Sequence, residues 1–253
     1  MAGTLAVEHE APSPHGGIEV VAPPDAPAEP TVVVAESENG HEAQHAEAVA
    51  VVAAPLPRAY LAIKYPLSRA VAAVALVALV PVFAAVALAV RHTFGKGVLY
   101  RQTRVGRNGE DFVILKFRTM AADRRVAAAA VAVDRRVTHK SDDDPRHHPL
   151  GRLLRKTSLD ELPQLWNVVK GEMTLVGPRP ELSDVADRYG FRDHARHRVL
   201  PGITGLWQVS EHRADLLHEH IEIDTSYVER VSPMLDLKII GESLRLLVRP
   251  TGR

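Results

Sequence analysis

At 253 residues, 46% of them hydrophobic, the chain has room for one domain with extra segments and is too apolar to be disordered throughout. Its formal charge of zero hides an asymmetry: residues 1–57 hold none of the 31 basic residues but nine of the 31 acidic ones, so an acidic arm precedes a body of net charge +9. The absence of cysteine excludes disulfides, thiolate zinc sites, iron–sulfur clusters and a cysteine nucleophile, and a single long apolar run excludes a multi-span membrane protein.

The first segment, 1–58, is rich in Ala, Pro, Glu and Val. Prolines from Pro12 to Pro57 forbid a long helix and no alternation supports a strand, so a disordered arm is expected. It lacks the basic start of a secretory signal. The second segment, 59–96, carries an uncharged run from Ala70 to Val90, flanked by Lys64 and Arg69 on one side and Arg91 and Lys96 on the other. As one helix this run would be about 31 Å long, enough to cross a hydrocarbon core. Pro81 in its middle removes a backbone hydrogen bond and should kink it. Two topologies follow: a span, or a hairpin that enters, bends and leaves by the same face. Both leave the basic body, 97–253, in the cytoplasm.

Within that body, Val98–Arg101 and Phe112–Leu115 read as strands around a turn at Gly106-Arg107-Asn108-Gly109. Residues 121–137 are Ala-rich and helix-prone, and Asp-Arg-Arg-Val occurs in them twice, at 123 and 134. Residues 234–248 carry apolar residues at helical spacing, suited to core packing or to lying on a membrane surface.

The most informative stretch is 144–180. Leu162, Leu165, Trp166 and Val169 form one apolar helical face, Pro163 fits a first turn, and Gly171 is a stop signal. Asp160 and Glu161 therefore lie at or just before a helix N-terminus, which favours ionised carboxylates. Ser158 and Glu161 have the spacing of a capping box, which would make the carboxylates merely stabilising. The chemical reading is an ionised Asp160 nucleophile beside a Glu161 that holds a divalent metal, with Arg155, Arg118 and Arg179 taking phosphate oxygens. Arg179 stands between two prolines, as a rigid clamp would.

These residues resemble the bacterial sugar transferase family, the monotopic polyprenyl-phosphate phosphoglycosyl transferases. The likeness runs in order through Lys116-Phe117-Arg118-Thr119-Met120, Arg155 to Asn167, Gly171 to Pro180, Pro201 to Val209 and Leu235-Asp236-Leu237-Lys238, and covers roughly 60–248. It implies transfer of a sugar 1-phosphate from a nucleoside-diphosphate sugar, such as a UDP-sugar, to polyprenyl (undecaprenyl) phosphate, the initiating step of exopolysaccharide or other glycoconjugate assembly. Asp160 would form the phosphosugar intermediate, Glu161 would bind Mg²⁺, and Lys116, Arg118, Arg155 and Arg179 would face phosphates. It also implies a re-entrant helix hinged at Pro81 in the inner membrane, with a small, mainly helical α/β catalytic domain on the cytoplasmic face. The chain departs from the family pattern at Val80, at Phe94-Gly95-Lys96-Gly97 and at Glu211-His212-Arg213, where relatives usually carry Gly-Arg. The sugar and the oligomeric state stay open.

Thirteen histidines invite a metal reading, but His147-His148, His194-x-x-His197 and His218-x-His220 lack a carboxylate at a spacing characteristic of zinc sites and read as solvated. Basic residues lack the aromatic interleaving of nucleic-acid binders. The rival reading is a catalytically silent membrane scaffold that recruits glycan-assembly partners through the acidic arm; retention of Asp160, Glu161, Arg155 and Arg179 speaks against it.

Overall fold

The computed structural model describes residues 55–120 and 148–248. The acidic arm up to residue 54, the Ala-rich 121–137 stretch and Asp144–Arg146 lie outside the described residues. Helix α1 (Arg58–Ala78) leads into α2 (Val80–Phe94). Strands β1 (Leu99–Val105) and β2 (Asp111–Phe117) form an antiparallel hairpin, with Leu99 opposite Phe117 and Val105 opposite Asp111. Its turn falls where expected, because Asn108 and Gly109 take up positive φ (58° and 77°), which these two residue types tolerate best. There follow α3 (Pro149–Lys156), a 3₁₀ turn (Leu159–Glu161), α4 (Gln164–Lys170), β3 (Thr174–Val176), α5 (Ser183–Arg188), β4 (Gly202–Thr204), the single turn α6 (Leu206–Val209), α7 (Ile221–Arg230) and α8 (Pro233–Val248). β3 and β4 pair in parallel, so short strands lie among helices, as the sequence leads one to expect.

The apolar run does not form one straight helix. It divides between α1 and α2 at Leu79 (φ −91°, ψ 6°), two residues before Pro81. Proline has no N–H to offer the carbonyl four residues back and its ring crowds that carbonyl, so the distortion falls on the turn before it. Among the described residues, α1 alone is long and apolar enough to cross a membrane, by length and composition.

One face of α1 (Leu61, Lys64, Ser68, Ala72) is buried against the body. The opposite face (Ile63, Leu67, Val71, Val74, Val77) is exposed. The two helices share cores with the rest of the chain: Leu61 packs with Val176, Val199 and Tyr227, Ala72 with Ile114, Leu165 and Val168, and Val86 and Val90 with Phe117 and Leu154.

Lys64 and Arg69, expected as basic flanks of a membrane element, are engaged by the body instead. The Lys64 ammonium lies 2.6 Å from Asp236 Oδ2 and donates to Tyr227 Oη. Asp236 also accepts from the Tyr60 and Tyr227 hydroxyls, at 2.6 and 2.7 Å. A buried ammonium needs such partners, and the cluster ties α1 to α7 and α8. Arg69 donates to the carbonyls of Val169 and Lys170, at 3.0 and 2.9 Å, placing a cation on the negative end of α4.

α4 ends at Gly171 in the left-handed conformation (φ 83°), as its stop signal implies. Leu165 and Val168 are buried and Leu162 and Val169 pack beside them, but Trp166 is exposed. The buried face of α4 is narrower than the sequence pattern suggests, because Asn167, not Trp166, turns toward the hairpin. The Asn167 amide accepts from Leu115 N–H (3.1 Å) and donates to the Val113 carbonyl (2.7 Å), completing the edge of β2 as a strand would. This sets the register between α4 and β2. Asn167→Ala should strip these partners from buried backbone and lower stability by about 2–3 kcal/mol, read as a shifted denaturant midpoint.

α8 is two-faced as well. Asp236 and Ile239 face in, whereas Met234, Leu237, Ile240, Leu244 and Leu247 are exposed.

Candidate active site

Four segments distant in sequence bring the predicted residues together. Lys116 comes from the end of β2 and Arg155 from the last turn of α3, while the 3₁₀ turn supplies Asp160 and Glu161. Arg179 comes from the segment after β3. That segment crosses the one leading into β4 at very close range. Gly177 N–H donates to Thr204 O and Gly202 N–H to Pro178 O, each at 2.9 Å. A Cβ on Gly202 would lie 2.1 Å from the Gly177 nitrogen, so only glycine permits the crossing. Arg179 is aimed from this junction.

Glu161 receives both cations: Lys116 Nζ lies 2.6 Å and Arg179 Nη1 3.8 Å from its Oε1. The capping box does not form, since Ser158 makes no side-chain cap and sits at φ 55°. Burial pushes the Glu161 carboxyl up, but Lys116 and Arg179 together outweigh it and hold it down at about 2. Asp160 behaves oppositely. It is only 8% exposed, and burial pushes its carboxyl up to about 6, against the pull of Lys116 and with the repulsion of Glu161. The expectation that a helix N-terminus holds both carboxylates down fails for Asp160 because α4 begins four residues later, at Gln164, and burial dominates. The two neighbours therefore differ in state: Glu161 is held as an anion, whereas Asp160 is a poorly solvated carboxyl.

Arg155 contributes positive potential at Asp160 and donates to the Thr119 carbonyl and hydroxyl, at 3.3 and 3.2 Å. Arg118 donates to the carbonyls of Met120 and Lys96, at 3.1 and 3.0 Å, and no described contact joins it to the carboxylates. Two residues that sequence reading missed complete the site. Arg104 and Gln164 line the same narrow cavity as Lys116, Glu161 and Arg179, and the buried Gln164 amide nitrogen has no acceptor. Such an orphaned donor suits an incoming oxygen. Gln164 lies within the Arg155-to-Asn167 motif but is not singled out there, and Arg104 carries no local mark because it reaches the cavity from the partner strand of the hairpin.

Arg179 is itself held from behind. Its carbonyl accepts from Arg196 Nη2, which pairs with Asp224 Oδ2 at 2.6 Å; both side chains are fully buried. On the front, the Arg179 guanidinium lies 5.9 Å from the Trp207 ring centre.

Two histidine clusters depart from the solvated reading. His220 converges with His212 and Asp215 from outside its sequence cluster. His197 is buried, and burial together with the Arg196 charge lowers its imidazole to about 3. The folded state excludes its proton, so between pH 6.5 and 3 the unfolded chain binds more protons and stability falls as pH falls. By pH 5 this one group should cost about 2 kcal/mol, and His197→Gln should flatten that limb of the stability–pH curve.

Sequence comparisons place the chain among known proteins. Residues 59–250 match the family model described as bacterial sugar transferase. The exopolysaccharide production protein ExoY of Sinorhizobium fredii is 40% identical over 181 residues, which cover 69% of this chain and 80% of ExoY. The undecaprenyl-phosphate galactose phosphotransferase of Salmonella typhimurium is 36% identical over 165 residues, 62% of this chain and 35% of that protein. The undecaprenyl-phosphate glucose phosphotransferase of Komagataeibacter xylinus is 39% identical over 180 residues, 65% of this chain and 32% of its own length. The chain thus spans most of ExoY and about a third of the two larger proteins. A match over three quarters of the length means that this chain belongs to the bacterial sugar transferase family.

Proposed function

We propose that this protein transfers a sugar 1-phosphate from a nucleoside-diphosphate sugar to polyprenyl phosphate, initiating assembly of an exopolysaccharide or other glycoconjugate. The observation that carries this reading is a buried carboxylate, Asp160, beside a second, Glu161, that Lys116 and Arg179 hold ionised and that lines a cavity with further donors. The names of the relatives support the lipid acceptor and the phosphotransferase class.

One Asp160 oxygen attacks the phosphorus that bears the sugar, and the bond from that phosphorus to the bridging oxygen breaks. Nucleoside monophosphate leaves with the electron pair. A terminal oxygen of polyprenyl phosphate then attacks the same phosphorus, the carboxylate leaves, and Asp160 is regenerated. Arg179 offers a fork suited to phosphate oxygens, and Lys116 and Gln164 offer single donors. The two carboxylates supply hard oxygen donors of the kind Mg²⁺ takes, and Glu161 is kept in its ionised, ligating form, with one oxygen already paired to Lys116. When bound there, Mg²⁺ would neutralise charge on the phosphate oxygens.

Membrane attachment belongs to the same reading. The break at Leu79 and the outward apolar faces of α1 and α8 support a re-entrant hairpin, and the basic excess of the body favours the cytoplasmic face. Cysteines placed at the exposed Arg58 and Lys96 should both react with an impermeant reagent only after the inner membrane is opened. Labelling of either in intact cells contradicts re-entry.

The transfer is tested by offering a panel of UDP-sugars and polyprenyl phosphate to the purified protein in detergent. Lipid-dependent release of UMP from one or a few donors is expected. No release from any nucleoside-diphosphate sugar contradicts the reading.

A further inference from the structure

The loop after Trp207 departs from the family at Glu211-His212-Arg213, and there the fold assembles a constellation unrelated to the phosphate cavity. His212 Nδ1 lies 3.0 Å and His220 Nε2 3.2 Å from the same oxygen, Asp215 Oδ2. The two rings stack with centres 4.1 Å apart. All three ligand atoms fall within 4.8 Å of one another. Tetrahedral zinc, with bonds of about 2.0–2.1 Å, needs ligand atoms about 3.3 Å apart, close to this spacing. Further carboxylates lie nearby: His212 Nε2 is 3.7 Å from Glu211 and His220 Nδ1 is 3.5 Å from Glu222, both beyond hydrogen-bond length.

We propose that His212, Asp215 and His220 form a zinc site, separate from the proposed Mg²⁺ position at Glu161. Two imidazoles and one carboxylate favour Zn²⁺ and its late transition-metal neighbours over Mg²⁺. The sequence hides the site because its ligands span two successive 3₁₀ turns, Glu211–Ala214 and Leu217–Glu219, without a recognisable repeat. Zinc there would tie the 211–222 loop together. That loop runs between Trp207, which faces Arg179, and α7, whose Asp224 holds Arg196 behind Arg179. The metal is thereby a structural brace beside the phosphate clamp.

The test is calorimetric titration of the full chain, stripped with EDTA and held in detergent, with ZnCl₂, repeated on variants. Histidines elsewhere add their own equivalents, so the difference between proteins is the readout. His212→Gln/His220→Gln should lose one equivalent, and the nearly isosteric Asp215→Asn should lose the same one. A large excess of Mg²⁺ should leave it in place. Equal zinc stoichiometry and affinity in wild type, Asp215→Asn and the double variant would overturn the proposal, as would displacement by Mg²⁺.

Discussion

Asp160→Asn should lower sugar-phosphate transfer by at least about a thousandfold while leaving the protein as stable as wild type or more so. The activity loss follows from the proposed chemistry: an amide oxygen of the same shape cannot form the bond to phosphorus. The stability result follows from burial. Folding raises the Asp160 carboxyl from 3.8 to about 6, so above pH 6 the native state carries a poorly solvated charge that the unfolded chain solvates freely. Removing that charge should add up to about 2–3 kcal/mol at pH 7 and nothing below pH 3.8, where the group is neutral in both states. Thermal unfolding of the two proteins at pH 7 and pH 4 reads this directly. A destabilised Asp160→Asn at pH 7 would mean that the carboxylate is a structural partner.

Glu161→Gln should reduce transfer by about a hundredfold or more and should also destabilise, the opposite sign to its neighbour. Its carboxylate is the counter-charge for Lys116 and Arg179, both only partly exposed. Losing one partner of such a cluster costs about 3–5 kcal/mol when burial is complete. The residual solvent access here scales this to about 1–2 kcal/mol. The Mg²⁺ concentration needed for half-maximal rate should rise as well, since a neutral amide is a poorer ligand for a hard cation. Unchanged stability together with unchanged Mg²⁺ response would separate Glu161 from both roles.

The sequence marked the parts of the site that depend on local chemistry. The turn at Asn108-Gly109 and the stop at Gly171 rest on residue types with special backbone behaviour, and both are found in place. The kink was foreseeable from Pro81, though it lands on Leu79, since the strain acts on the preceding turn. What escaped the sequence are pairings between distant residues. Tyr60 meets Asp236 across 176 positions, and Asn167 reaches Val113 across 54. Arg104 and Gln164 become part of the cavity only when the hairpin docks on α4, and Lys64 exchanges a lipid-facing reading for a buried ion pair on the same ground. Asp160's raised pKa is likewise a tertiary effect, because it arises from burial by segments outside its own motif.

The central claim is a covalent phosphosugar on Asp160, and the most direct measurement is the intact mass of the protein after mixing with its nucleotide-sugar donor and Mg²⁺ in the absence of polyprenyl phosphate. Wild type should gain the mass of one sugar phosphate with release of one equivalent of nucleoside monophosphate, the adduct should disappear on adding the lipid, and Asp160→Asn should stay unmodified. The same mass gain on Asp160→Asn, or full turnover by wild type through a pathway in which the adduct never forms, would contradict the account.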